Sequence, residues 1–455
     1  MNALLAACLV APMIATPSHA VSACSGRAAD FDADGRPDLT VAAPYTAART
    51  GSVTVLYASG KKEGLVQEGA ERGDSFGSAL ASGDFDGDRC ADLAVGVSEE
   101  FDGPPVPGAD GNGVVQLYRG TPRGLVAWRQ LSAPEQGSDR YGAALAAGDF
   151  DGDGDDELAV GAPGMRAGGG VVIHFLGKPR VLTQRTGWIG QKALVTDQWG
   201  AALAAGDFDG DGRAELVAGA PADSVTLDGQ GSATVLDPVR EKALRLTQDT
   251  PRLKGSAEKW DAFGAALTTG DFNGDGRADL AIGVPGEGLS ANQRAMDYGD
   301  GMVHVLYGSR AGLRTARGEA WTQRVLDGKP RYYDRFGAAL VAADLNGDGN
   351  DELAIGVPGE SAVQVIAGAG KGGLTREGDL LLNGEGQDFG AALAAVPVVP
   401  RYRPLSLTRP LHSLVVAAPG DGVLTVVTAK RRANLELGRP RRLSSGSGLY
   451  GYAMR

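Results

Sequence analysis

One short pattern recurs along the chain and constrains its fold more than any other feature. An aromatic residue followed by glycine returns at intervals of 53 to 73 residues, each time with a leucine four positions after the aromatic. A regular internal repeat indicates a chain built many times from one supersecondary unit. The pairs are Phe76-Gly77, Tyr141-Gly142, Trp199-Gly200, Phe263-Gly264, Phe336-Gly337 and Phe389-Gly390.

Each unit contains short apolar runs with glycines between them. After the aromatic pair come an Asp/Gly-rich loop, a run such as LAVGAPG, a variable stretch and a run of GxVxVLYG type. These runs lack a 3.6-residue period and therefore favour β-strands. We count four strands in a unit, and four-stranded sheets repeated radially are the blades of a propeller.

The two ends of the chain are complementary. The loop at Asp30 lacks an aromatic-Gly strand before it, whereas Tyr450-Gly451 supplies a seventh pair, with Met454 in the leucine position. We therefore predict an all-β fold, a seven-bladed β-propeller over residues 30–455, closed by the C-terminal strand completing the N-terminal blade. An open solenoid is the alternative, but it would not require complementary ends.

Six units share a loop of the pattern D-x-[DN]-x-D-G-x-x-[DE], except that Arg89 replaces the glycine of the second loop. Side-chain oxygens stand at positions one, three, five and nine. These residues are Asp30, Asp32, Asp34 and Asp38; Asp84, Asp86, Asp88 and Asp92; Asp149, Asp151, Asp153 and Glu157; Asp207, Asp209, Asp211 and Glu215; Asp271, Asn273, Asp275 and Asp279; and Asp344, Asn346, Asp348 and Glu352.

Hard oxygen donors at this spacing suit Ca²⁺, which takes about six to eight oxygens in flexible geometry. An EF-hand would need a glutamate at position twelve, where every loop here has Val, Ala or Ile. We predict up to six bound Ca²⁺ ions, rather than Asp-Gly turns that bind nothing. Position seven is expected to add a backbone carbonyl, from Arg36, Cys90, Asp155, Arg213, Arg277 and Asn350.

The charge balance agrees with a cation-binding chain. The formal net charge is −12, and positions one, three, five and nine of the loops hold 22 of the 56 acidic residues. Six Ca²⁺ ions would offset that charge. The acidity argues against nucleic acid as a partner, because phosphate binding needs a basic face. The seventh unit has a proline- and arginine-containing stretch over residues 394–413 instead of the loop, and we predict no metal there.

The N-terminus has features of a secretory signal. Residues 4–15 are apolar but too short to span a bilayer, and Ser18-His19-Ala20 reads as a cleavage site. We expect residues 1–20 to be a signal peptide and residues 21–29 a short segment before the propeller. A lipid anchor at Cys24 is the alternative. Cys24 and Cys90 fall in adjacent units, which favours a disulfide but leaves two free thiols open.

These features resemble the FG-GAP repeat family, known from the seven-bladed propeller of integrin α subunits. The FG element is Phe76-Gly77 and its equivalents, and GAP is present at Gly161-Ala162-Pro163 and Gly219-Ala220-Pro221. The resemblance covers residues 28–455 and implies the propeller and its calcium sites. The signal peptide and the composition of the chain also resemble those of secreted FG-GAP proteins of high-GC bacteria. It does not identify a ligand.

The sequence favours a binding module over an enzyme. His174 and His304 fall in equivalent strand positions, and the GxSxG around Ser75 coincides with the repeat rather than with a nucleophile elbow. The tripeptide Arg72-Gly73-Asp74 resembles an adhesion motif, but its aspartate also belongs to the repeat. A calcium-dependent polysaccharide lyase or hydrolase and a structural envelope component remain alternatives.

A ligand is expected on the face formed by the 2–3 and 4–1 loops, because variable loops on a rigid scaffold commonly carry recognition. The metal loops and the 3–4 loops belong to the other face. The expected ligand is a glycan or a protein surface. Candidate contact residues are Tyr45, Arg49, Phe101, Trp260, Arg294, Tyr298, Arg331, Tyr332 and Tyr333.

Overall fold

The computed structural model describes residues 24, 29–46, 49–67, 69–100, 111–134, 137, 139–175, 178–288, 299–326, 328–398, 411–430, 436–437, 440–443 and 453–454. These residues form seven antiparallel sheets, which are the blades of an all-β propeller. The predicted signal peptide and the closing pair Tyr450-Gly451 lie outside the described residues. The part of the chain described here contains only four helical segments, all short 3₁₀ turns, at Met165–Ala167, Pro358–Glu360, Gly370–Gly372 and Pro419–Asp421.

Strands follow one another in chain order within each blade, from the propeller centre outward. Blade 1 has β1 (Leu39–Ala42), β2 (Val53–Leu56) and β3 (Lys62–Leu65). Blades 2 to 4 have β4 (Phe76–Gly83), β5 (Asp92–Val97), β6 (Val114–Arg119) and β7 (Val126–Ser132); β8 (Ala144–Gly148), β9 (Glu157–Ala162), β10 (Gly170–Phe175) and β11 (Lys178–Leu182); and β12 (Ala202–Gly206), β13 (Glu215–Ala220), β14 (Ser232–Asp237) and β15 (Lys242–Leu246).

The remaining blades continue the same order. They have β16 (Ala266–Gly270), β17 (Asp279–Val284), β18 (Met302–Tyr307) and β19 (Arg314–Trp321); β20 (Leu340–Ala343), β21 (Glu352–Val357), β22 (Ala362–Gly368) and β23 (Leu374–Asn383); and β24 (Ala392–Val398), β25 (Leu411–Ala418), β26 (Val423–Lys430) and β27 (Glu436–Leu437), with β28 (Arg441–Leu443) also beside β26. The short strand β29 (Ala453–Met454) lies beside β1.

The register between first and second strands is the same from blade to blade. The leucine of each repeat faces the apolar residue at position twelve of its loop, as in Leu145 opposite Val160 and Leu267 opposite Ile282. In blade 1, Met454 of β29 lies opposite Val41, the equivalent residue. That pairing has the register expected of a closing strand, and closure itself stays a prediction.

The core consists of layers between neighbouring blades. In the six described repeat pairs the aromatic is at most 2% exposed. Phe76, for example, packs with Val55 of blade 1 and Val95 of blade 2. At the centre, the first strands line a narrow channel of about 420 Å³, with small side chains such as Ala146 and Ala204. Burying large rings between sheets and small residues at the axis lets seven sheets converge.

Glycine pairs permit the close approach of one blade to the next. The glycine after each aromatic has φ near +90°, a region that disfavours other residues. At five joints its carbonyl oxygen lies against the glycine of the preceding blade's second strand, where an added Cβ would meet it, whereas Gly77 faces Ala42 of blade 1. The Cβ–O distances would be 2.2 Å at Gly219 against Gly264 and 2.1 Å at Gly283 against Gly337. At these five joints the packing therefore needs both glycines.

Replacing a joint glycine should destabilise the propeller. Gly219→Ala places its Cβ against the Gly264 carbonyl, and we expect it to lower the free energy of unfolding by about 1–3 kcal/mol or more. Gly187→Ala is the control, because a Cβ there would meet no atom within 4 Å. Thermal and denaturant unfolding measure both variants. Equal stabilities would contradict the proposed role of the joint.

Closure by the C-terminal strand can be tested by deletion. Removing residues 444–455 should lower the melting temperature by roughly 5–10 °C, because β1 would lose its neighbour and expose a sheet edge. A synthetic peptide of residues 444–455 should restore the melting temperature when added back. If the truncated protein melts like the full chain, the strand does not close the propeller.

Candidate functional site

The six acidic loops lie on one face: five connect the first strand of a blade to the second, and the first loop leads directly into β1. In every loop the carboxylate at position one accepts the backbone amide of position six, at 2.8–3.1 Å. The buried carboxylate at position nine accepts the amide of position two, also at 2.8–3.1 Å. Backbone donors therefore fix both ends of each loop. In the second loop, position six is Arg89 instead of the glycine of the other loops. Its amide still donates to the Asp84 carboxylate, and it adopts φ +68°.

The first four loops bring three carboxylates close enough to share an ion. Within each group, one oxygen per residue lies within 4.8 Å of the others. Two oxygens bound to one Ca²⁺ at about 2.3–2.6 Å can be at most about 5 Å apart. The donor set and its spacing therefore fit a calcium ion. The groups are Asp30, Asp32 and Asp38; Asp84, Asp86 and Asp92; Asp149, Asp151 and Glu157; and Asp207, Asp209 and Asp211.

The fifth and sixth loops have a different arrangement because position three is asparagine. Asn273 Nδ2 lies 3.0 and 3.1 Å from the two carboxylate oxygens of Asp279. Asn346 Nδ2 donates to Glu352 Oε1 at 2.9 Å and to Asp348 Oδ2 at 3.1 Å. The amide nitrogen, rather than its oxygen, faces the buried acid. A half-turn of the amide would present the oxygen as a ligand.

The third loop contains a side chain that the sequence analysis assigned only a carbonyl role. The Asp155 carboxylate forms a group with Asp153 and Glu157, all within 4.8 Å. A hydrogen bond with Asp153, together with burial, raises the pKa of Asp155 to about 6. This loop therefore offers one more acidic side chain than the pattern predicted. The doubled aspartate Asp155-Asp156 is the sequence signal for it.

Without a cation, ionisation of the position-nine acids is unfavourable. Burial, reinforced by neighbouring aspartates, raises the pKa of Asp38, Asp92 and Asp279 to about 7 and that of Glu157 to about 8. Glu215 and Glu352 behave alike, with pKa values of about 7 and 8. A bound divalent cation would supply the charge that burial denies these groups.

A chain of backbone hydrogen bonds connects successive metal loops. The amide at position eight donates to the position-one carbonyl of the preceding blade, at 2.8 Å from both Asp156 and Ala214 and at 2.9 Å from Ala278. In the seventh blade, the His412 amide and Nδ1 contact the Asp344 carbonyl at 3.3 and 2.8 Å. Loop geometry in one blade is therefore fixed partly by the next.

A disulfide attaches the N-terminal segment to this face. Cys24 and Cys90 are bonded, with their Cα atoms 4.8 Å apart. Cys90 is position seven of the second loop. The pairing favoured by the sequence is therefore present, and it ties residue 24 to the part of the loop predicted to offer a carbonyl ligand.

On the opposite face, the 2–3 and 4–1 loops enclose a pocket of about 300 Å³. Trp260 and Arg335 come from 4–1 loops, and Pro221 and Pro285 from 2–3 loops. Gly229 lies against the Trp260 indole, since a Cβ there would be 2.4 Å from Cε3. The pocket combines an aromatic ring held in place with a guanidinium group, on the face where the sequence predicts a ligand.

The other candidates on this face are spread out. Tyr45 is 53% exposed, with the Arg49 guanidinium 5.5 Å from its ring centroid. Tyr332 and Tyr333 form an exposed edge-to-face pair with centroids 4.2 Å apart. Arg331 is exposed and lies 4.0 Å from Glu360. Phe101, Arg294 and Tyr298 lie outside the described residues.

The recurrent aspartate before each aromatic pair has a structural role. Asp74 is 4% exposed and accepts the Glu71 amide at 2.5 Å, and Asp334 accepts the Arg331 amide at the same distance. An aspartate in this position is turned into its own loop, which argues against the adhesion reading of the tripeptide ending at Asp74. Ser75 is likewise buried, with its hydroxyl 3.2 Å from the Gly73 carbonyl.

The sequence analysis missed a set of acid pairs beneath this face. In four blades the recurrent aspartate interacts with an acid 26 residues later. Burial, and after it the negative charge of Asp261, raises the pKa of Glu287 to about 8. Burial raises the pKa of Asp334 to about 6. The constant spacing was the available signal. The pairs are Asp74 and Glu100, Asp197 and Asp223, Asp261 and Glu287, and Asp334 and Glu360.

Fold and loops together define a seven-bladed propeller made of repeats with acidic, metal-compatible turns. Six stretches match the FG-GAP repeat, at residues 25–56, 76–118, 141–175, 199–236, 263–306 and 336–374. The chain belongs to the FG-GAP repeat family, as its motifs predicted. All six acidic loops fall within the matched stretches.

Among the relatives are integrin α subunits. Integrin alpha-PS2 of Drosophila melanogaster is 32% identical over 227 residues, which is 47% of this chain and 15% of that protein. Phosphatidylinositol-glycan-specific phospholipase D of Homo sapiens is 33% identical over 168 residues, 35% of this chain and 18% of that protein. The chain thus spans less than a fifth of the length of these relatives.

A likeness to solved structures concerns the fold alone. The periplasmic gluconolactonase of Pseudomonas aeruginosa superimposes with a TM-score of 0.51 at 15% identity, over 90% of this chain and 96% of that chain. Within the described residues, no helix is long and apolar enough to cross a membrane.

Without metal, stability should fall as pH rises. The position-nine acids have folded pKa values of about 7–8, against about 4 when unfolded, so they keep protons in the folded state that the unfolded chain releases. Between about pH 5 and 8 the melting temperature of the metal-free protein should therefore decrease. With excess Ca²⁺ the ligands are ionised in the folded state, and this decrease should disappear. A metal-free melting temperature that rises over the range would contradict the assignment.

Proposed function

We propose that this chain is a secreted, calcium-binding FG-GAP propeller that acts as a ligand-binding module, with Ca²⁺ mainly structural. The observation that carries the proposal is the repeated loop in which backbone amides hold clustered carboxylates at a calcium-compatible spacing. Ions bound only by the folded state stabilise it. The loops lie away from the Trp260 pocket, which supports a structural role for the metal.

The proposed ligand is a glycan or a protein surface bound on the face of the 2–3 and 4–1 loops. The pocket around Trp260 supports this choice, because an aromatic ring beside a guanidinium suits both the faces of sugars and polar protein groups. Loops from three blades contribute to it. Integrin alpha subunits among the relatives are consistent with a binding role for the propeller.

We propose binding rather than catalysis because the histidines among the described residues are engaged or buried. His304 is fully buried within β18, and burial lowers its pKa to about 4. His174 contacts the Tyr141 hydroxyl, and burial lowers its pKa to about 4 as well. His412 binds a backbone carbonyl.

Secretion is proposed from the leader-like N-terminus and the disulfide. Disulfides persist in oxidising compartments. The Cys24 sulfur is bonded to Cys90 and is therefore not available for a lipid thioether, which favours free secretion over the lipid-anchored alternative.

Trp260→Ala should weaken ligand binding on this face. We would screen wild-type protein against a glycan and cell-envelope protein array and measure the affinity of each hit, expecting at least a tenfold loss, about 1.4 kcal/mol, for the variant. Trp128→Ala removes an aromatic of the outer strand β7 and serves as the matched control.

Binding that survives Trp260→Ala unchanged would contradict the proposed face. The same array, assayed for product release, separates binding from catalysis. Cleavage of a glycan by wild type that is lost in Trp260→Ala would replace the binding role by the polysaccharide-acting enzyme.

A further inference from the structure

A groove of about 880 Å³ opens on the metal-loop side of the propeller, at the joint between blades 5 and 6. Its walls are the fifth metal loop, the 3–4 turn and outer strand β19 of blade 5, the 3–4 turn of blade 6, and Lys254 from the connection between β15 and β16. It therefore lies on the other face from the Trp260 pocket. Asn273, Asp275 and Arg277 of the fifth metal loop form part of its wall, but most of its lining belongs to neither the metal loops nor the proposed ligand face.

The groove is basic in a chain of net charge −12. Two acidic residues line it, Asp275 and Glu319. Asp275 pairs with Arg277 at 3.1 Å, and Glu319 accepts the Tyr307 hydroxyl and the Trp321 indole N–H, each at 2.8 Å. The basic residues that line it are Lys254, Arg277, Arg310, Arg314, Arg317 and Lys371.

Four of these cations lack an ion pair within the described part of the chain: Arg310, Arg314, Arg317 and Lys371. All four are exposed. Some comparable side chains on the same face are neutralised. Arg240 pairs with Asp209 at 3.1 Å, and Lys61 pairs with Glu63 at 2.9 Å. A cluster of unneutralised arginines in a concave site is unusual on so acidic a protein and points to an anionic occupant.

Local structure fixes the backbone that carries the arginines. Arg310 is at the tip of a tight turn. Ser309 Oγ donates to the Gly312 carbonyl at 2.7 Å, and the Gly312 amide donates to the Ser309 carbonyl at 2.6 Å. In β19, Arg314 lies opposite Tyr307 but Glu319 lies opposite Val305, so the residues between them bulge from the ladder. Arg317 is in this bulge.

The floor of the groove is a fixed joint between the two blades. The Tyr307 hydroxyl donates to Glu319 at 2.8 Å and accepts the Leu374 amide of blade 6 at 2.8 Å. Gly373 lies directly against the hydroxyl, where a Cβ would be 2.0 Å away. The groove is therefore bounded by elements that the fold already fixes.

We propose that this groove binds an acidic oligosaccharide through its carboxylate or sulfate groups. Guanidinium groups bind such anions with two parallel hydrogen bonds, and the volume lies in the range of small-ligand sites, about 300–1,000 Å³. Cations contributed by separate segments along one groove match charges repeated along a sugar chain. Single-stranded nucleic acid is disfavoured because its bases need aromatic platforms, and Tyr307 is only 8% exposed.

The test uses the full chain in Ca²⁺ with four probes: a uronate tetrasaccharide, a sulfated tetrasaccharide, neutral maltotetraose and a single-stranded DNA oligonucleotide. Calorimetry should show binding of one or both acidic sugars, weakened by salt, and none of maltotetraose. Preference between the two acidic sugars distinguishes carboxylate from sulfate recognition. Binding of no acidic sugar, equal binding of maltotetraose, or binding of DNA alone would overturn the proposal.

Variants locate the site. Arg310→Ala and Arg317→Ala should each weaken binding about tenfold or more, since each removes charge-assisted hydrogen bonds, and Arg317→Lys should lose less. Arg123→Ala removes an exposed arginine from the 3–4 turn of blade 2 and is the matched control. Melting curves confirm folding of each variant.

Trp260→Ala should leave acidic-sugar binding intact, so failure of the proposed ligand face and failure of the groove give different results. Affinity unchanged in both arginine variants, or lost equally in Arg123→Ala, would overturn the assignment to the groove.

Discussion

The structure depends on backbone contact between neighbouring blades at paired glycines. At five joints the glycine after the buried aromatic presents its carbonyl to a glycine of the preceding blade, at a distance that excludes any Cβ, as at Gly356 against Gly390. The aromatic amide then binds the preceding blade, for example Phe263 N to the Gln230 carbonyl at 3.0 Å. Close packing at the axis, with large rings buried just outside it, sets where every other strand and loop lies.

The metal loops build on this joint. Because position eight of one loop donates to the position-one carbonyl of the previous loop, the carboxylates are positioned by two blades at once. Calcium would then neutralise acids such as Glu157 and Glu352, which burial alone would keep protonated near neutral pH. Calcium binding by the repeated loops would therefore explain the acidic composition, the repeat spacing and the stability of the fold together. The outer surfaces are left free for ligands.

Features repeated along the chain could be predicted from the sequence. Local spacing that recurs predicts the strand order and the residues that form each acidic loop. The register of Leu145 opposite Val160 follows from the same spacing. The direction of the Asn346 amide could not be predicted, because it depends on which oxygen lies nearby in three dimensions. The Asp155 side chain was missed for the same reason, since a pattern gives a position but not the direction of a side chain.

Sites assembled from distant segments were harder to predict. The sequence placed Trp260 in a loop of the proposed ligand face, yet the pocket exists because loops of neighbouring blades meet there. The basic groove combines Lys254, Arg317 and Lys371, which are ordinary surface cations when taken one at a time. Only packing brings them together. The acid pairs are the exception, since their constant 26-residue spacing was visible in the sequence.

The most direct test of the central claim is the number of calcium ions that the folded chain holds. Protein freed of metal would be dialysed against Ca²⁺, its bound metal counted by mass spectrometry, and the titration repeated by calorimetry. The account predicts at least four ions, from the loops with three clustered carboxylates, and up to six if the asparagine loops turn their amides. Less than one ion per chain at millimolar Ca²⁺ would contradict it.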